Sequence, residues 1–410
     1  MPPFPPSGEY LKAIRQSSRD LRTSMGISIP HDCVKRLLLS PAFVESFPRV
    51  SKDHGLALPL NFSSHMDELN FLSVLSLLNF GSGYRVPLHD QTGRGAWDSI
   101  RALLFSMYIT SAGEGDLLSA KGLRAIDATK IAGFMGISLH VERPHDKIPG
   151  VVVGELGGPL YDLVARIASV LNETGQILES NGYHNLGNFV VEALEQSRKL
   201  QSTSGNDRAL DLVLEKLVRA FPAFQDMSEV NGQSIYCFKK ALFLIQAINI
   251  RFGSLSPPPF PIPPTDNIPV FSDNVLPSLL VHLGVINLSS SASLSSLFPA
   301  SESEENLNAL LGSAPPRTKK QGSTAKSVPQ GGPVVTSSQS YSLRAAAIDA
   351  CELMVETARA LDIDSLGNEN LAWVTKITLP SLDMWIWAVA KDREDYRALP
   401  RFVDQNTVFF

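Results

Sequence analysis

Two aspartates stand out by the company they keep. Asp383 is a lone carboxylate in LPSLDMWIWAVAKD, set among Leu382, Met384, Trp385, Ile386 and Trp387. A carboxylate is costly to bury unless it is paired, so the position points to one of two things: an ion pair, with Arg344 or Lys239 as partner, or a functional group kept in an apolar site. Asp273 ends the string VFSD and stands just before VLPSLLVHLG, an apolar helical run. By position alone its simpler role is to cap that helix and complement its dipole. Trp387 follows Asp383 by four residues, on the same helix face, where it walls a pocket or packs in the core.

Other candidates carry less specific signals. Lys239 and Lys240 follow Tyr236 and Phe238, and a solvated helix face accounts for at least one of the two lysines. His282, within VHLG, reads as a core or helix-end residue. Cys33, Cys237 and Cys351 are scattered and form no CxxC pair, which argues against a disulfide framework or a cysteine zinc site and for three reduced, mostly buried thiols. No P-loop, HExxH or GxSxG is present, and the glycines at 81–83 and 93–95 lack dinucleotide-fingerprint spacing.

The elements that must position these residues are helical. Apolar spacing of three and four predicts helices over 9–24, 66–79, 96–110, 158–178, 188–200, 206–220 and 235–250, with shorter ones over 34–39 and 43–47. The helix at 66–79 is apolar on most sides and belongs in a core. Strand signals are confined to 150–154 and 407–410. The segment 253–269 contains PPPFPIPP, which cannot continue a helix and should run extended over the surface. Residues 288–341 are rich in Ser, Pro, Gly and Lys and read as a disordered insertion, with a short helix near 304–311. We therefore expect an all-α fold: a flexible tail over 1–8, one large helical domain over 9–287, the insertion at 288–341, and C-terminal helices over 342–410 that complete the same domain.

Composition bounds the function. A net charge of −5 over 410 residues offers no broad cationic surface for polyphosphate or anionic membrane, so stable nucleic-acid or membrane binding is not expected. No apolar run reaches the ~18 residues of a membrane span, and the N-terminus lacks the pattern of a secretory signal, which reads as a soluble cytoplasmic protein, with the nucleus as a further compartment.

Five strings take the reading further: LNFLSVLSLLNFGSGYR (69–85), GRGAWDSIRAL (93–103), FPAFQDMSEVNGQSIYCFKKALFLIQAI (221–248), VFSDNVLPSLLVHLGVI (270–286) and LPSLDMWIWAVAKD (379–392). In order and content they resemble the queuosine salvage protein family over most of the chain from about Leu56 onward, the Pro-rich and Ser-rich segments excepted. The resemblance implies a single helical domain distantly like helix-hairpin-helix DNA glycosylases. It also implies hydrolysis of the N-glycosidic bond of queuosine 5'-phosphate, with release of queuine for reuse by tRNA-guanine transglycosylase, and neither metal nor organic cofactor. It assigns Asp273 as nucleophile or transition-state stabiliser and Phe271 as the residue stacking on the base, and it makes Asp383 a ligand for the base edge or queuine's ammonium. Trp387, Trp97 and Asn79 would line the site, Lys239 would counter the phosphate, and His65 stands nearest to a ligand-contacting histidine of the family. The family's Tyr and Asp near Asp383 are replaced here by Met384 and Ala388.

The chemistry itself asks for such groups. An oxocarbenium-like sugar calls for a carboxylate near C1'. A 7-deazapurine cannot be protonated where guanine has N7, so hydrogen bonds to its remaining polar edges must support its departure. Two other readings compete: a helical interaction protein whose Pro-rich and Ser-rich segments dock to partners, and a glycosylase acting on a base within nucleic acid.

Overall fold

The computed structural model describes residues 2–51, 55–204, 206–316, 329–362 and 369–410. The chain runs through α1 (Tyr10–Ser24), α2 (His31–Leu38), α3 (Pro41–Val50), α4 (His65–Leu77), α5 (Arg85–Thr92), α6 (Ala96–Glu114), α7 (Ala120–Ala125) and α8 (Ala128–Met135). After the ribbon of β1 (His140–Pro144) and β2 (Val152–Leu156) come α9 (Tyr161–Ser180), α10 (Leu186–Ser204) and α11 (Asn206–Ala220). A second ribbon, β3 (Met227–Val230) and β4 (Gln233–Tyr236), leads into α12 (Lys239–Phe252), α13 (Val275–His282), α14 (Glu304–Leu311), α15 (Ser337–Arg359), α16 (Leu379–Asp392) and α17 (Glu394–Ala398). Among the described residues the architecture is thus all-α apart from two antiparallel two-stranded ribbons, and no helix is long and apolar enough to cross a membrane.

Four helices are buried all round over long stretches: residues 69–77 of α4, 239–248 of α12, all of α13, and 340–351 of α15. Helices without a polar face can exist only inside others. α4 packs against α10 and α12, and α15 against α1, α2, α13 and α16, so that the C-terminal helices share a continuous apolar core with the N-terminal ones. Local chemistry starts these helices where it should. Ser64 accepts from the Asp67 N–H at the head of α4, and capping boxes Thr336/Gln339 and Thr378/Ser381 open α15 and α16.

Several sequence expectations need correction. The helix expected from Ile235 begins at Lys239, because Asn231 and Gly232, with φ of 51° and 75°, turn the chain into the β3–β4 hairpin. Residues 407–410 form no strand; Phe409 and Phe410 are apolar because they pack, and the Phe410 carbonyl accepts from the Gly81 N–H. The expected flexible tail is tied down over residues 2–8. Tyr236 Oη donates to the Pro3 carbonyl, Ser7 Oγ donates to Glu215, and Arg219 lies over the Phe4 ring. The expected disordered insertion is ordered over 288–316, where Leu294, Phe298 and Leu311 are buried anchors spaced among the serines, and over 329–341, the end of which is the first turn of α15; residues 317–328 lie outside the described residues. The Pro-rich segment 253–269 does lack helix, and is pinned by Phe260 edge-on to Phe252.

Candidate active site

The short link before α13 carries Phe271, Ser272 and Asp273, all buried. One oxygen of Asp273 does what its position predicts: Oδ1 accepts from the Val275 N–H (2.6 Å) and the Leu276 N–H (3.4 Å), capping α13. Its Oδ2 accepts no hydrogen bond among the described residues. The capping role and a chemical role are therefore compatible, each with its own oxygen. Held on two amides at a helix N-terminus, the carboxylate is fixed in direction.

Asp383, 1% exposed on α16, reaches the same link from the other side, with Oδ2 accepting from the Phe271 N–H at 2.7 Å. Its expected partner Arg344 is bound elsewhere, to Asp226. Burial raises the Asp383 pKa to about 8; the Phe271 amide lowers it, the Asp273 charge raises it again, and Lys239 lowers it. Burial thus favours the uncharged form of Asp383.

The lysines correct a second expectation, since neither lies on a solvated helix face. Lys239 Nζ donates to the Asn79 carbonyl (2.6 Å) and Lys240 Nζ to the Leu77 carbonyl (2.7 Å). These carbonyls belong to the C-terminal end of α4, where the last turn lacks intrahelical donors and carries the negative pole of the helix dipole. Burial lowers the Lys239 pKa to about 8 against the attraction of Asp273. Burial, and Lys239 beside it, also push Lys240 well below the ordinary lysine value.

A row of aromatic rings extends from the aspartates. Phe271 meets Phe243 edge-on (6.0 Å between centres), Phe243 meets Trp97 (5.5 Å), and Trp97 meets Trp387 (6.0 Å), each pair near perpendicular. The rings come from the link before α13 and from α12, α6 and α16, so four elements converge. The buried Trp97 Nε1 has no hydrogen-bond partner among the described residues. Gly55, with φ of 70°, lies against Trp97 and Trp387: a Cβ there would stand 2.7 Å from the Trp387 ring.

The structure thus brings together Asp273, Phe271, Asp383, Lys239, Trp97, Trp387 and the Asn79 carbonyl. It does not bring His65 to them. His65 is exposed and sits edge-on to Phe252, thirteen residues along α12 from Lys239, or ~20 Å at 1.5 Å per residue. His282 is a packing residue, bonded to the Pro400 carbonyl and edge-on to Phe298. Sequence reading missed Phe243, which its spacing of four from Lys239 placed on the same helix face, and missed Asp226, a lone carboxylate in FPAFQDM. Among the described residues no cluster of His, Cys, Asp and Glu is arranged to hold a metal.

Two neighbouring carboxylates, the pKa of Asp383 raised by burial, and an aromatic wall in a helical protein place the site in a class suited to a flat ring with polar edges. Comparisons agree with that class. The family model described as "Queuosine salvage protein" matches residues 161–303, from α9 to just past α13, a stretch that holds Lys239, Phe271 and Asp273. The chain is also 22% identical over 280 residues to a Sphaerobacter thermophilus protein named "Queuosine 5'-phosphate N-glycosylase/hydrolase", covering 68% of this chain and 74% of that protein. The resemblance to queuosine salvage proteins read from the five strings therefore stands.

Proposed function

We propose that this protein is an N-glycosidase that hydrolyses queuosine 5'-phosphate, giving queuine and ribose 5-phosphate. The observation that carries the proposal is the pairing of Asp273 and Asp383 across the Phe271 backbone, one with an oxygen unengaged and the other with its pKa raised by burial. The activity named for the Sphaerobacter relative supports it. As the bond from C1' to the base nitrogen lengthens, positive charge on the sugar is stabilised by Asp273 Oδ2. Electrons of that bond leave with the base, whose polar edge takes a hydrogen bond from protonated Asp383. Water adds its hydroxyl at C1', and its proton ends on the base. The rings of Phe271, Phe243 and Trp97 suit a planar deazapurine, and Lys239 supplies positive charge. No metal or organic cofactor enters this chemistry. Residues 9–287 and 342–410 act as one domain in this reading, because the two aspartates come from its two parts, and released queuine is free in the cytoplasm for reuse in tRNA.

Incubation of the purified protein with queuosine 5'-phosphate should release queuine, detected chromatographically, with little release from the unphosphorylated nucleoside. Intact monophosphate across a range of pH and salt would sink the proposal.

A further inference from the structure

Beside the site lies a fully buried cluster built on an ion pair. Asp226 and Arg344 are both 0% exposed. The guanidinium grips the carboxylate with both terminal nitrogens (2.9 and 2.5 Å), and Tyr341 Oη adds a third bond at 3.1 Å. From this pair, bonds run to both sides of the site. Arg344 Nε donates to the Ser272 carbonyl (2.8 Å) while Ser272 Oγ donates to the Arg344 carbonyl (3.1 Å), so the residue between Phe271 and Asp273 is held twice. Asp226 Oδ2 accepts from the Lys239 N–H (3.1 Å), and its backbone carbonyl accepts from the Cys237 and Phe238 N–H groups. Phe238 has a φ of 47°, a left-handed conformation that a bulky residue seldom adopts without such restraint.

A buried ion pair is a poor device for stability alone, since well-packed apolar residues often replace one without loss. This pair does something apolar residues cannot: its directional bonds tie the Asp273 link to the first turn of α12. We propose that Arg344 and Asp226 are positioning residues that set the placement of Asp273 relative to Lys239, and that turnover depends on their fork geometry. The inference rests on the role given to Asp273 above.

Arg344→Lys keeps the charge and most of the volume but cannot bond Asp226 twice and Ser272 at once. The double variant Asp226→Leu/Arg344→Met removes both charges together. For each, kcat and KM on queuosine 5'-phosphate are measured beside thermal melting. The Lys239 side chain is titrated in parallel by NMR of lysine labelled with 15N at the ζ position, assigned with Lys239→Met. Lys239 faces Asp273, Arg344, Asp226 and Asp383, with Lys240 adjacent, so a shift in its surroundings moves its midpoint. We expect kcat to fall roughly 30-fold with KM within threefold in Arg344→Lys, the double variant to lose turnover while staying folded, and the Lys239 midpoint to move in Arg344→Lys. If kcat stays within twofold and the midpoint does not move, whatever happens to melting, the positioning role is overturned. If the wild type does not act on the monophosphate, the function proposal fails, and the NMR midpoint alone decides whether Arg344 governs the setting of Lys239.

Discussion

Asp226, bonded by side chains of α15, and Asp383, carried on α16, are both buried carboxylates, yet they are treated in opposite ways. Asp226 receives a two-pronged guanidinium, a tyrosine hydroxyl and a backbone amide. Asp383 receives the Phe271 amide and lies in the field of another carboxylate. One charge is fully answered, so its work is to hold backbone in place. The other carboxylate lies on an apolar helix, where burial raises its pKa and favours the uncharged form. A carboxylate gripped by a guanidinium belongs to the scaffold, and one whose pKa is raised by burial belongs to the proposed chemistry.

Substitutions can break or sharpen that contrast. The largest effect should come from Asp273→Asn, which keeps the cap geometry but removes the charge proposed to face the sugar: kcat should fall roughly 10³- to 10⁴-fold, ~4–5.5 kcal/mol, in steady-state assays, with melting little changed. Asp226→Ala strands the Arg344 charge in the core and should destabilise by about 3–5 kcal/mol in denaturant unfolding. If Asp226→Ala proved harmless to stability, the two aspartates would not differ as described.

Asp383→Asn should lower kcat/KM about 100-fold. Its pH behaviour is more telling. With its pKa raised from 3.8 to about 8, Asp383 contributes stability that is present below pH 3.8 and is lost as pH rises through about 8. Wild-type melting should therefore decline across that window, and turnover should fall above about pH 8 as the proton is lost. Asp383→Asn should flatten the melting trend, leaving any alkaline limb to Lys239, which titrates in the same region. Lys240→Met, which replaces a buried ammonium by an apolar chain of similar length, should leave melting unchanged or slightly raised, within about 1 kcal/mol. Smallest of all, Val153→Asp on the exposed β2 strand should change stability by less than about 0.5 kcal/mol.

Much of this was readable in the chain, for reasons that are local. The helix expected over 206–220 is α11 with the same bounds, and the all-round apolar pattern after Met66 is the core helix α4, because periodicity reports burial directly. Asp383 announced itself because a carboxylate among tryptophans has few explanations. The partners did not announce themselves. Arg344 and Asp226 are 118 positions apart, and nothing local distinguishes Arg344's choice of Asp226 over Asp383. The lysine pair looked like a solvated face because the groups that claim it, the terminal carbonyls of α4, lie some 160 residues upstream. The β3–β4 hairpin was legible in Asn231-Gly232 but was outweighed by the helical spacing after it.

The β1–β2 ribbon has a further consequence. All ten of its strand residues are exposed, and at its root the Leu139 carbonyl accepts from both the Gly157 and Gly158 N–H groups, bringing the two ends together. Insertions, deletions or a grafted tag between those ends would leave α8 and α9 in register, so this is the place where the chain can gain or lose length without disturbing the residues around Asp273.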